Sequence, residues 1–115
     1  MARTFVQPGN TLTLAAPAKV ASGDGVVVNS IFGIAAFDAE SGADVEVHTI
    51  GVHELKKTAG AGIDQGAKVY FDVSAGECVG SPGTGNALIG TCTETAGSAA
   101  TKVRVRLDGV GITVA

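Results

Sequence analysis

The chain contains four short stretches in which polar and apolar residues alternate. The clearest is TKVRVRL at 101–107, and the same alternation recurs at 11–14, 44–49 and 68–73. A period of two places successive side chains on opposite faces of a strand, so each stretch is predicted to be a strand with one buried face. The predicted buried residues are Leu12, Leu14, Val45, Val47, Val69, Phe71, Val73, Val103, Val105 and Leu107.

Three further stretches are less regular. Residues 25–37 and 86–92 are apolar on both faces, which is typical of strands that are covered on both sides or lie at a subunit interface. In GVHELKK at 51–57, Val52 and Leu55 are three positions apart, so either the strand is bulged or a new register begins at Leu55. At the C-terminal end, Val110, Ile112 and Val114 form an apolar stripe that a neighbouring subunit could cover.

Turn-forming clusters separate these stretches, and one short helical turn is expected near 59–67. The clusters occur at 21–25, 39–44, 74–77, 80–86 and 95–100. No long amphipathic helix pattern is present. Frequent turns between short strands predict an all-β fold, either a small β-barrel or a sandwich, preceded by an extended stretch that ends at Pro8-Gly9.

Composition favours association between copies of the chain. Of 115 residues, 17 are Gly and 18 are Ala, whereas only four are Phe and none is Trp. Small side chains bury little apolar area each, so a domain of this size often completes its stability by oligomerising.

The net charge of −3 predicts no general attraction to nucleic acid or to a membrane. No secretory signal or membrane span is visible, so synthesis in the cytoplasm is expected.

The glycine-rich segment from Lys56 to Asp72 resembles a phosphate-binding loop only superficially. A P-loop requires GxxxxGK[ST], but Gly66 is followed by Ala67 before Lys68. The dinucleotide motif GxGxxG requires a following helix, and the spacing of Gly60, Gly62 and Gly66 is one residue too long. These glycines are therefore expected to permit turns, and no cofactor is predicted.

Other chemistry-bearing residues also favour structural interpretations. His48 and His53 lack metal-site spacing, and no nucleophile motif accompanies them, so neither a metal site nor enzymatic activity is predicted. The two cysteines are expected to be small buried residues, with a disulfide as the alternative. Asp38, Glu40, Asp44 and Glu46 suit a hydrated turn and a strand surface. The basic stripe of Lys102, Arg104 and Arg106 is expected to pair with carboxylates on neighbouring strands, or else to dock an acidic surface.

Several phrases, in this order, closely resemble the head decoration, or capsid cement, proteins of tailed bacteriophages. They are FVQPGNTLTLAAPA, SGDGVVVNSIFGIA, EVHTIGVHELKKTAGAGIDQGAKVYFD and NALIGTCTETAGSAATKVRVRL, and they cover nearly the whole chain. The most specific parts are GVHELKK, IDQGAKVYFD and the final KVRVRL. None of them carries catalytic chemistry.

The resemblance implies a non-enzymatic homotrimer of a small β-barrel, residues 11–115, with an N-terminal arm, residues 1–10. Its partner would be the major capsid protein, on the outer surface of the expanded head, where it would stabilise contacts between capsid subunits. The arm residues expected to contact the capsid are Arg3, Thr4, Phe5, Val6 and Gln7. The alternative is another virion surface module, such as a tail or fibre-base adhesion component.

Overall fold

The computed structural model describes residue 4 and residues 6–115, and these fold entirely into strands, turns and loops. The described strands are β1 (Thr11–Ala15), β2 (Gly25–Val28), β3 (Ile31–Ala35), β4 (Asp44–His48), β5 (Ile50–Lys56), β6 (Lys68–Asp72), β7 (Glu77–Val79), β8 (Asn86–Glu94) and β9 (Lys102–Asp108). The all-β prediction is confirmed, but the helical turn expected near 59–67 is wrong, because those residues form turns and an isolated bridge. Within the described residues, no helix is long and apolar enough to cross a membrane.

The alternating stretches form β1, β4, β6 and β9, and their apolar faces point inwards as predicted. Val45, Val47, Val69 and Val105 are completely buried. Leu12 and Leu14 of β1 are only half-buried, and Val73, which follows the end of β6, is 39% exposed. The carboxylate of Asp72 accepts hydrogen bonds from the backbone N–H groups of Ser74 and Ala75, so the chain turns at Val73 and carries its side chain away from the core.

Five strands form a sheet in the order β5-β9-β8-β6-β7, with antiparallel neighbours throughout. The sheet curls until its two edge strands approach each other, where Lys57 and Cys78 form a parallel bridge. This sheet is called the barrel sheet below. Its inner side chains make up the larger hydrophobic core, to which Leu55, Phe71 and Val105 belong.

The other four strands form a sheet in the order β1-β4-β3-β2, called the flat sheet below. The doubly apolar stretch 25–37 is a hairpin in which Val28 pairs with Ile31 and two residues form the turn. Asn29 in that turn has a φ of 54°, a left-handed conformation that Asn tolerates better than most residues. Val26, Val45 and Val47 lie in a second, smaller core on one face of this sheet.

Both alternatives for GVHELKK placed a break in the strand, and the structure shows none. Strand β5 pairs with β9 over seven consecutive residues without a change of register. Val52 and Leu55 are an odd number of positions apart, so they lie on opposite faces of one regular strand. Leu55 is buried in the barrel core, whereas Val52 is 56% exposed.

Contacts from the hairpin and from the C-terminal segment join the two sheets. The rings of Phe32 and Phe71 pack across the interface with centroids 5.0 Å apart. The segment after β9 returns to the hairpin, where the Ile112 N–H donates to the Ser30 carbonyl and the Ile112 side chain enters the larger core. Ile112 is therefore covered within the chain itself and interrupts the expected stripe, whereas Val110 is 68% and Val114 is 40% exposed.

Candidate interaction surfaces

The base of the N-terminal arm is fixed to the fold by one buried residue, Thr49. Its N–H donates to the carbonyl of Asn10 at 2.9 Å, and its hydroxyl donates to the carbonyl of Gly9 at 2.5 Å. Thr49 itself is only 5% exposed and lies between β4 and β5. These two hydrogen bonds, called the Thr49 clasp below, hold the chain in place at the point where the arm meets β1.

Beyond the clasp, the arm residues that the structure describes are exposed. Thr4, Val6 and Gln7 all lie at the surface, and Val6 is 89% exposed, the highest value among the large apolar residues that the structure describes. Arg3 and Phe5, the other two predicted capsid contacts, lie outside the described residues. The Val6 side chain therefore makes little contact with the rest of the fold.

The glycine-rich segment packs against residues 92–98, and its backbone N–H groups are already used. Gly60 donates to the carbonyl of Ser98 at 2.7 Å, and Gly66 donates to that of Cys92 at 2.7 Å. Ile63 and Ala96 exchange two hydrogen bonds. A phosphate-binding loop needs such N–H groups free and converging, so this segment is a structural turn, as predicted.

Two of the three residues of the basic stripe pair with carboxylates, as expected. Arg104 lies between Glu94, at 2.9 Å, and Glu54, at 3.5 Å, and Lys102 lies 3.9 Å from Glu54. All of these side chains are about half exposed or more, so each pair contributes only about 0–1 kcal/mol. Among the described residues, no carboxylate lies within 4.0 Å of the Arg106 guanidinium.

Arg106 lies on the outer face of the barrel sheet among exposed apolar residues. Its register partners are Val52 on β5 and Thr91 on β8, and it lines a shallow depression together with Leu88 and Lys68. Val52 is 56% exposed, Ile50 at the start of the same strand is 46% exposed and Leu88 is 43% exposed. This group of residues is called the Arg106 face below.

The two histidines, five positions apart in the chain, stack on each other. His48 ends β4 of the flat sheet and His53 lies in β5 of the barrel sheet, with ring centroids 6.1 Å apart and planes 17° apart. Thr11 hydrogen-bonds Nδ1 of His48 at 3.3 Å, and Nε2 of His53 lies 3.0 Å from the Ile50 carbonyl. Within the described part of the chain, no group of three or more His, Cys, Asp or Glu residues could hold a metal ion.

The cysteines are buried free thiols, so their preferred interpretation is confirmed and the disulfide alternative is wrong in this structure. Burial raises the pKa of the Cys78 thiol to about 12, and the nearby Glu77 carboxylate adds to the shift. A thiol of this kind stays protonated at neutral pH and is a poor nucleophile.

The four carboxylates of 38–46 are exposed, and that of Asp38 accepts a hydrogen bond from the Ser22 N–H.

The model of one protein family, described as phage cement protein, matches residues 6–107 of this chain. The chain belongs to the phage cement protein family. The match includes the described strands β1 to β8, β9 up to Leu107, and only the last part of the arm, from Val6 onwards. No curated protein and no solved structure matches the chain.

Membership of the cement family confirms that this is a structural component of the bacteriophage capsid. The resemblance seen in the sequence was therefore correct at the level of the family. Sequence reasoning missed the cement protein's Arg106 face and the stacking of its histidines. The only signal for the former was the odd spacing of Val52 and Leu55, which places Val52 on the same face as the basic stripe.

Proposed function

We propose that this cement protein binds as a homotrimer to the outside of the expanded phage head and stabilises contacts between subunits of the major capsid protein. The observation that carries the proposal is the exposed arm with its fixed base. The Thr49 clasp anchors residues 9–10, while Val6 and Gln7 extend into solvent. An arm of this kind presents apolar side chains and main-chain groups to a partner without disturbing the core.

The position of β1 supports the same role. Among the described strands it is an edge strand of the flat sheet that pairs only with β4, and it continues directly from the arm. A partner strand that pairs with the arm can therefore continue to pair with the exposed edge of β1. Edge strands present unpaired N–H and C=O groups, and these are the groups used in recognition by strand addition.

A trimer would hold the shell at several points at once. Each arm would contact a different capsid subunit, so dissociation of one arm leaves the others bound and the released arm at a high effective concentration. Weak individual contacts then give durable attachment against the outward pressure of packaged DNA. Attachment of this kind requires neither a catalytic group nor a cofactor.

Co-sedimentation with phage heads that lack the protein tests the proposal. The purified full chain is expected to pellet with expanded heads, saturably and in multiples of three per local three-fold site, but not with unexpanded heads. Failure to bind either form would overturn the capsid-binding proposal. It would favour the alternative of a tail or fibre-base adhesion component.

Variants of the arm test its role separately. Deletion of residues 2–8 keeps Gly9 and Asn10, so the clasp and the fold are retained while the predicted contacts are removed. This variant, and Val6→Asp, are expected to bind expanded heads at least about tenfold more weakly, as expected for losing a contact worth about 1.4 kcal/mol. Val73→Asp, at an exposed apolar position outside the arm, is the matched control. Full binding by the deletion variant would place the contacts on the folded part instead.

A further inference from the structure

The charges of the chain are divided unequally between the two sheets. Residues 11–48, which form the flat sheet and its loops, contain one basic residue and five acidic residues, a net charge of −4. Residues 49–115, which form the barrel sheet and its loops, contain six of each, a net charge of zero. The acidic character of the protein therefore resides in the flat sheet.

The Arg106 face has the composition of a protein interface. It combines a guanidinium that has no carboxylate partner among the described residues with three apolar side chains that are 43–56% exposed, those of Ile50, Val52 and Leu88. Arg and exposed apolar side chains are features of the centre of interfaces, where a desolvated charge requires an opposite charge from the partner. Asp108, at the rim of the depression, has one carboxylate oxygen occupied by the Val110 N–H.

The flat sheet provides a surface of opposite charge. Asp44 and Glu46 are exposed on the face of β4 opposite to the buried Val45 and Val47. Their register partners on β1 are Ala15 and Thr13, both exposed and small. Neither carboxylate forms an ion pair with any described residue. Small neighbours allow another sheet to approach these carboxylates closely. This group of residues is called the Glu46 face below.

We propose that the Arg106 face of one copy docks on the Glu46 face of the next, and that three such head-to-tail contacts close the trimer. This inference rests on the homotrimer of the proposed function and assigns its contact surfaces. Two different surfaces that bind each other form a heterologous interface, which generates a ring when the rotation closes. A self-complementary contact through either face would bring like charges together, so the charges favour the head-to-tail arrangement.

Sedimentation velocity of the purified full chain, without capsids, tests this interface. Arg106→Glu and the pair Asp44→Lys/Glu46→Lys are each expected to convert the trimer to monomer, raising the dissociation concentration at least about tenfold. Combining all three substitutions restores opposite charges across every contact and is expected to restore the trimer. Lys19→Glu is the control, because it changes the net charge as Arg106→Glu does but lies on neither face. Circular dichroism verifies that each variant is folded.

The outcomes separate this inference from the function on which it rests. If Arg106→Glu is still a trimer, the Arg106–Glu46 contact is wrong. The same holds if Arg106→Glu is monomeric and the combined variant does not recover the trimer. Either result leaves the trimer itself as a proposal. A wild-type chain that is monomeric at every concentration would overturn the trimer itself. Capsid binding is measured independently, by the co-sedimentation described above.

Discussion

Phe32 and Phe71 form an aromatic contact between the two sheets, with their ring centroids 5.0 Å apart and their planes at 58°. Phe32 lies in the hairpin of the flat sheet and Phe71 lies in β6 of the barrel sheet. Gly25 provides the space for this pair, because a Cβ at that position would lie 2.8 Å from the Phe71 ring. The contact is thus the place where the hairpin is held against the barrel.

Replacing Phe32 by Ala is expected to lower the free energy of unfolding by about 3–5 kcal/mol, because it removes a buried ring and leaves a cavity between the sheets. Phe37→Ala is the matched control. Phe37 is 45% exposed, so its removal should change the free energy of unfolding by less than about 1 kcal/mol. Urea denaturation of both variants measures the difference, and equal effects would show that the Phe32–Phe71 pair does not hold the sheets together.

Gly90 is expected to tolerate no side chain. It lies in β8 beside an irregularity in the pairing with β6, and an added Cβ would overlap the carbonyl oxygen of Arg106 on β9. Gly90→Ala should therefore lower the free energy of unfolding by about 1–3 kcal/mol or more, since strand β9 must move. Gly97→Ala, at a position with nothing within 4 Å, should be nearly neutral. Thermal denaturation compares the two variants. An unchanged melting temperature for Gly90→Ala would show that β9 moves aside at no cost and would contradict the prediction.

Lys57 is expected to stabilise the closure of the barrel sheet. It is only 3% exposed, and its Nζ donates to the carbonyls of Thr58, at 3.0 Å, and Ala100, at 3.3 Å. Lys57→Met keeps the aliphatic part and removes both hydrogen bonds, so a loss of about 1–3 kcal/mol in unfolding free energy is expected. Lys56→Met, at the exposed neighbouring position, should change it by less than about 0.5 kcal/mol. A neutral Lys57→Met would contradict this role.

The buried Cys78 thiol should make the protein less stable at high pH. Burial first, and the Glu77 carboxylate second, raise its pKa from 9.0 to about 12. Below pH 9 the thiol is mostly protonated in both the folded and the unfolded chain, so its ionisation does not change the free energy of unfolding. Between pH 9 and 12 the unfolded chain releases a proton that the folded chain retains. The free energy of unfolding therefore falls by up to about 1.4 kcal/mol per pH unit.

This pH dependence is measured against Cys78→Ala, which retains every other titrating group. The stability difference between wild type and variant should shrink from pH 9 upwards. A difference that is constant with pH would contradict the assignment. Alkylation by iodoacetamide at pH 8 offers an independent measurement, in which Cys78 should react only after unfolding.

The sequence allowed the individual strands to be predicted far better than their partners. Alternation identified β1, β4, β6 and β9 because each has one buried face. It could not separate β2 from β3, because Asn29 and Ser30 form a turn only two residues long inside an apolar stretch. The division into two sheets also escaped prediction, since β8 lies between β6 and β9 and their pairing depends on contacts distant in the chain.

A candidate surface could be predicted from the sequence only where all of its residues lie on a single strand. The basic stripe on β9 follows from alternation, and cross-strand pairing was expected for all three of its residues. That Arg106 faces Val52 rather than a carboxylate depends on the register between β5 and β9, which no local pattern contains. The stacking of His48 on His53 likewise requires two different sheets to meet.

The Thr49 clasp determines where mechanical tension would enter the fold. A pull on a captured arm reaches the carbonyls of Gly9 and Asn10 first, and both are hydrogen-bonded to Thr49, the buried residue that connects β4 to β5. Behind them, β1 pairs with β4 only among the strands that the structure describes. The weakest part of the load path is thus an edge strand, which could peel away while the barrel sheet remains folded. Under tension, the cement protein would extend before its arm dissociated from a partner.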